Sequence, residues 1–113
     1  MAYKLVIFPQ AESDIAEALA YLSERAPQAA RRWYALVKSE IESLVEMPAR
    51  CPLSPEAPKL GADLRQLLYG KRPGIYRIVF RILEESREVH VIAVRHGARK
   101  PLDVAEIEPF LEL

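Results

Sequence analysis

Apolar positions recur along this chain with two different periods, and the places where the period changes mark its elements. Residues 3–8 hold Leu5, Val6, Ile7 and Phe8 in an almost continuous apolar run that Pro9 ends, the pattern of a short strand buried on both faces. From residue 11 to 25 the spacing becomes helical. Ile15, Ala18, Leu19 and Leu22 fall on one face, while Glu12, Asp14 and Glu17 near the start and Arg25 at the end complement the helix dipole. Ala26-Pro27 breaks this helix, and Pro27 suits the first turn of a second one over 27–46. There Ala30, Trp33, Tyr34, Val37, Ile41, Leu44 and Val45 keep the same periodicity. Trp33 and Tyr34 read as core or hairpin contacts rather than as a ligand box. Two amphipathic helices with so short a link form a helical hairpin, whose apolar face needs a sheet to cover it.

Residues 47–62 read as a loop, because Pro48, Pro52, Pro55 and Pro58 forbid a regular helix or central strand; Leu53 and Leu60 could pin it to the body. Strand character returns at 64–69, 75–83 and 89–94. Pro73-Gly74 marks a turn between the first two, and the short polar link 84–88 makes the last two an antiparallel hairpin. The order β-α-α-β-β-β predicts an α+β fold, with a helical hairpin packed on a small, mainly antiparallel sheet. At 113 residues, half of them hydrophobic, residues 1–113 are expected to form one domain, ending in an acidic tail over 103–113.

Alternation along 75–83 sorts its side chains. Tyr76, Ile78, Phe80 and Ile82 form an apolar face that should lie under the helices. Ile75, Arg77, Val79, Arg81 and Leu83 form the other, which should look outward. Arg77 and Arg81 are then about 13 Å apart at roughly 3.3 Å per residue, a spacing suited to tracking a phosphate backbone.

Charge changes this picture more than composition does. The chain is neutral overall, with 16 Lys/Arg against 16 Asp/Glu. From 64 to 100 there are nine Lys/Arg against three Glu, a balance of +6. Residues 1–63 have seven against nine (−2), and residues 101–113 none against four (−4). The basic stretch predicts a surface for an anionic partner, formed by Arg65, Lys71, Arg72, Arg81, Arg95 and Lys100. Within it, Arg95-His96-Gly97-Ala98-Arg99-Lys100 follows the last strand. His96 can exchange a proton near neutral pH, and Arg77 with Arg99 could stabilise a charged phosphorane. A second acid/base group for ribonuclease chemistry is not evident. One cysteine, Cys51, excludes an intramolecular disulfide and a cysteine-based metal site. The sequence carries no Walker loop, metal-ligand cluster or nucleophile triad pattern, so no metal and no cofactor is expected. It has no apolar stretch long enough to cross a bilayer, so no membrane partner and a cytoplasmic location are expected.

These pieces, taken in order, resemble the RelE/ParE superfamily of type II toxin–antitoxin toxins, also called plasmid stabilisation proteins. The resemblance runs from Tyr3 to about Pro101. It rests on the opening strand, Glu12-Ser13-Asp14-Ile15, the WYALVKSEIESLVEMPAR helix, LRQLLYG, GIYRIVFRI and VHVIAVRHGAR. It implies the fold predicted above and a cognate antitoxin as partner, in a toxin–antitoxin hetero-oligomer. RelE-like members cut mRNA on the ribosome, and by resemblance Arg77 matches their central-strand arginine, and the His96–Arg99 region their basic terminal loop. ParE-like members poison DNA gyrase. Here no tyrosine follows in Pro101-Leu102-Asp103-Val104, and the 64–69 strand carries only Arg65 in place of several lysines. Those departures and VRHGAR resemble the ParE branch. The expectation is thus a gyrase-inhibiting binder, with catalytic Arg77, His96 and Arg99 the alternative for an mRNA endoribonuclease. A degenerate member that still binds antitoxin is the third reading.

Overall fold

The computed structural model describes residues 2–60, 63–70 and 74–97. Strand β1 (Lys4–Ile7) leads into helix α1 (Pro9–Arg25) and helix α2 (Pro27–Glu42), followed by 3₁₀ turns at Ser43–Val45 and Pro48–Arg50. A short helix α3 (Ala57–Leu60) precedes strands β2 (Leu64–Tyr69), β3 (Tyr76–Leu83) and β4 (Glu88–His96). The sheet order is β1-β4-β3-β2. β1 runs parallel to β4, and the other two pairings are antiparallel. The α+β, mainly antiparallel expectation holds, with the first strand supplying the one parallel pairing.

Local chemistry explains the helix boundaries. Proline occupies the first turn of both long helices, where its missing N–H has no intrahelical partner to lose. Ala26, held out of the helical region by the proline after it, is extended (φ −153°, ψ 80°) and separates the two. Arg25 closes α1 by donating to the Tyr21 carbonyl at 2.9 Å and stacking over its ring at 3.7 Å. Met47 sits in the left-handed region (φ 47°), and Pro48 follows it, so the helical path of α2 ends there.

The sheet is buried on both faces. Under the helices, Ile78, Phe80, Val89, Val91 and Val94 meet Ile15, Val37 and Ile41. The face that alternation assigned to the helices does lie there. Burying Phe80 completely stabilises the fold by about 1.5–3 kcal/mol. The opposite face, expected to look outward, is instead a second core: Val79, Leu64, Ile92 and Ala93 pack with Phe8 and Ala57, and Leu60 joins them. The proline-rich segment accounts for the difference. It turns round the β2 edge, where Ser54 N–H donates to Leu64 O (2.8 Å) and Gln66 N–H to Pro52 O (3.0 Å). It then lays α3 over the sheet. Leu53 pins it through its backbone bridge to Arg65 while its side chain stays exposed; Leu60 pins it through burial.

β4 contains one extra residue. Phe80 pairs with Val91 and Val79 with Ala93, which leaves Ile92 unpaired in a β-bulge. Ile92 and Ala93 therefore share the second core, and Val94 returns to the helix side with Val91. The bulge inverts the alternation for the rest of the strand, Arg95 and His96 included.

Candidate functional site

Arg77 follows Tyr76 on β3, so its side chain lies on the face away from the long helices. It is nearly cut off from solvent there. It is 7% exposed and forms a two-pronged ion pair with Glu56, itself 1% exposed. Nη1 donates to Glu56 Oε1 at 3.1 Å and Nη2 to Oε2 at 2.7 Å. Nη1 also donates to Gln66 Oε1 at 2.9 Å. The expected outward-facing anion binder is thus a buried, bonded group, because the strap just described delivers a carboxylate to it. Arg95 lies directly opposite Arg77 on β4, and Arg81 lies further along β3 between Leu64 and His90. Both are partly exposed.

Arg65 also departs from expectation. Its Nη1 donates to Cys51 O (2.7 Å) and Ala49 O (3.2 Å), and its Nε stands 3.1 Å from Asp63. It buckles the strap to β2 and stays partly exposed. Lys71, Arg72, Arg99, Lys100 and the acidic tail lie outside the described residues.

His96 is on the other side of the sheet. The bulge turns it towards the helices, where its ring meets Tyr76 edge to face at 5.1 Å; Tyr76 in turn meets Trp33 at 5.1 Å. A groove of about 400 Å³ opens there, lined by Asp14, Glu17, Tyr21, Tyr76, Val94 and His96 among others. Asp14 is its built element. β1 stops pairing at Val91, so beyond that point the β4 edge has no strand beside it among the described residues. The Asp14 carboxylate accepts the Val94 N–H there at 3.0 Å, and Gln10 Nε2 donates to its other oxygen at 2.8 Å. Burial pushes the Asp14 pKa up, and the Val94 N–H opposes that rise. Burial also raises the Tyr76 pKa. The groove is therefore acidic and aromatic, which suits a cation and repels phosphate.

The structure thus brings Arg77, Arg81 and Arg95 to one face and His96 to the other. Glu56 and Asp14 escaped sequence reasoning. Glu56 sat among prolines in an apparent loop, although apolar Ala57 and Leu60 beside it were a hint of burial. Asp14 read as a dipole partner for α1. A second groove, about 570 Å³, runs between β1 and the hairpin, lined mainly by Leu5, Ile7, Ile15, Leu19 and Ile41. Among the described residues no helix is long and apolar enough to cross a membrane, and no group of three His, Cys, Asp or Glu could hold a metal.

A helical hairpin and a short strap packed on opposite faces of a four-stranded mixed sheet define a RelE/ParE-like toxin fold. E. coli toxin RelE, solved free as a double arginine-to-alanine mutant, shares it: TM-score 0.55 at 18% identity, covering 87% of this chain and 86% of that one. The RelBE2 toxin–antitoxin complex of Mycobacterium tuberculosis holds a chain that matches with TM-score 0.53 at 23% identity, covering 88% of this chain and 95% of that one. The family itself is shown by sequence. Residues 5–101 match the family described as the ParE toxin of the type II toxin-antitoxin system, parDE, and the chain belongs to it. A curated relative, Toxin RelE1 of Caulobacter vibrioides, is 29% identical over 97 residues, which span 86% of this chain and 96% of the relative.

Proposed function

We propose that this toxin acts in the cytoplasm by gripping DNA gyrase rather than by cutting RNA, and that a cognate antitoxin neutralises it in a hetero-oligomer. The observation that carries the reading is the separation of Arg77 from His96. In-line cleavage through a ribose 2′-hydroxyl needs a proton-transfer group and a cation around one phosphate. Here the strand arginine is bonded to Glu56 and Gln66 on one face. The histidine lies on the other face beside Asp14 and Glu17, in a groove unfavourable to phosphate. Among the described residues, partly exposed Arg81 and Arg95 on one face and an acidic, aromatic groove on the other suit protein binding better than phosphate chemistry. The test is purified protein titrated against gyrase: supercoiling is expected to fall and cleavage complexes to accumulate. Unchanged supercoiling at high molar excess would refute the reading.

A second reading, a ribosome-dependent mRNA endoribonuclease, is favoured by the name of the Caulobacter relative, Toxin RelE1. It predicts A-site cleavage when the protein is added to translating ribosomes, and loss of that cleavage in Arg77→Ala. Intact mRNA ends with gyrase inhibited would decide for the first reading.

A further inference from the structure

We propose that the groove between α1 and the end of β4 is a docking site for an arginine side chain carried by an exposed, basic segment of a partner protein. This docking does not require gyrase as the target, so a negative supercoiling assay leaves it intact.

One face of α1 builds the groove. Asp14, Glu17, Ala18 and Tyr21 stand at i, i+3, i+4 and i+7, so they line up along the helix beside β4. Ala18 is the small residue among them, and buried Val94 supplies an apolar wall. Tyr76 and His96 add two rings, set edge to face at 5.1 Å. The space, about 400 Å³, falls within the roughly 300–1,000 Å³ of ligand sites. Glu17 and Tyr21 are exposed, which leaves room for a main chain to pass across the rim.

Charge and geometry in the groove call for a planar cation. Burial disfavours the Asp14 carboxylate most, and Glu17 one turn away adds like-charge repulsion, while Arg95 has the weakest influence of those acting on it. A cation placed between Asp14 and Glu17 relieves both costs. The Val94 N–H and Gln10 Nε2 each take one site on a different Asp14 oxygen and fix the carboxylate in place. A carboxylate offers about four acceptor sites, so each oxygen keeps room for a second donor, the arrangement a guanidinium meets with two parallel N–H bonds. The rings favour the same group, because guanidinium stacks on aromatic faces where a compact ammonium does not. Tyr21 already carries one, that of Arg25 stacked 3.7 Å over its ring. Residues 101–113 hold four acids and no Lys or Arg, so by charge they do not complement the groove.

The test titrates the full, isotope-labelled chain with an acetylated and amidated heptapeptide that holds one central arginine among glycine and serine, followed by amide NMR. The Asp14, Glu17, Tyr21 and Val94 amides should shift and saturate together, while those of Ile41 and Leu64 stay in place. The same peptide with citrulline, which keeps the shape and loses the charge, should bind at least about tenfold more weakly, and the lysine peptide about threefold more weakly. Asp14→Asn still accepts from the Val94 N–H and should weaken the arginine peptide about tenfold. Glu46→Gln, which removes a charge from an exposed site outside the groove, should change binding less than about twofold. Equal losses from the two variants, equal binding of the citrulline or lysine peptide, or the same shifts from spermidine at equal concentration would each overturn the proposal. Tighter peptide binding after replacing Arg99 and Lys100 by alanine would mean that the chain's own cation fills the groove, and would overturn it too. The comparison of arginine with citrulline is made on the unaltered protein, so it decides even where a variant folds poorly.

Discussion

Glu56 and Arg77 form a double-mutant cycle whose corners the structure nearly dictates. Glu56→Leu leaves the guanidinium in a site 7% exposed, with Gln66 as its remaining partner among these bonds. Arg77→Met leaves Glu56, 1% exposed, without its two-pronged partner. Stripping one member from a buried pair costs about 3–5 kcal/mol, because the survivor keeps its desolvation penalty. That is a large share of the roughly 5–15 kcal/mol that holds a domain of this size together. At about 4 °C per kcal/mol, each single variant should melt about 12 °C or more below the parent. The double variant Glu56→Leu/Arg77→Met replaces two charges with two apolar side chains beside Val79, Leu64 and Ala57, and should recover most of the loss. Urea denaturation with linear extrapolation gives all four free energies. If the single losses simply add in the double variant, or if each stays below about 1 kcal/mol, the carboxylate and guanidinium are not coupled as described.

Asp14 tests the β4 edge. Burial raises its folded pKa above the unfolded value, so this group's contribution is fully present below the unfolded pKa and falls as pH rises through the folded one. Asp14→Asn, neutral throughout and still able to accept from Val94 N–H, should match or exceed parent stability at neutral pH and lose that advantage in acid, as urea curves at both pH values would show; Asp14→Ala should lose about 1–3 kcal/mol. Gly70 has φ +101°, and a Cβ there would stand 2.6 Å from Gly74 O, so Gly70→Ala should lower stability by about 1–3 kcal/mol in thermal melts. His90 holds Glu88 at 3.0 Å and depresses its pKa, chiefly through that hydrogen bond. Glu88's contribution is therefore present above its unfolded pKa and lost as pH falls through the folded value; in His90→Phe an NMR titration should find Glu88 titrating higher, and this acid-side loss should shrink.

Periodicity was enough for the long elements. The 3.6-residue spacing of Ile15, Ala18, Leu19 and Leu22 and the prolines at 9 and 27 delimit the hairpin. The 64–69 strand appears with the expected bounds. What stayed hidden depends on contacts distant in sequence. Alternation correctly placed Arg77 and Val79 together, but polarity alone could not show that residues 51–60 would cover them. A buried arginine looks like an exposed one until its carboxylate, 21 residues away, is known. The bulge at Ile92 likewise leaves no mark in a run as uniformly apolar as Val91–Val94, yet it decides which face receives His96. The family could be recognised because it depends on element order; the site could not, because it depends on which side each residue faces.

The turn of residues 51–54 around β2 has a consequence for how copies of this protein can associate. A sheet grows by accepting a new strand at either margin, and two open margins allow growth without end. Here the backbone of Pro52 and Ser54 already occupies the Leu64–Gln66 stretch of the β2 margin, so a strand added on that side would have to displace it. The strap thus protects that stretch of a small, largely apolar sheet against edge-to-edge pairing with another copy.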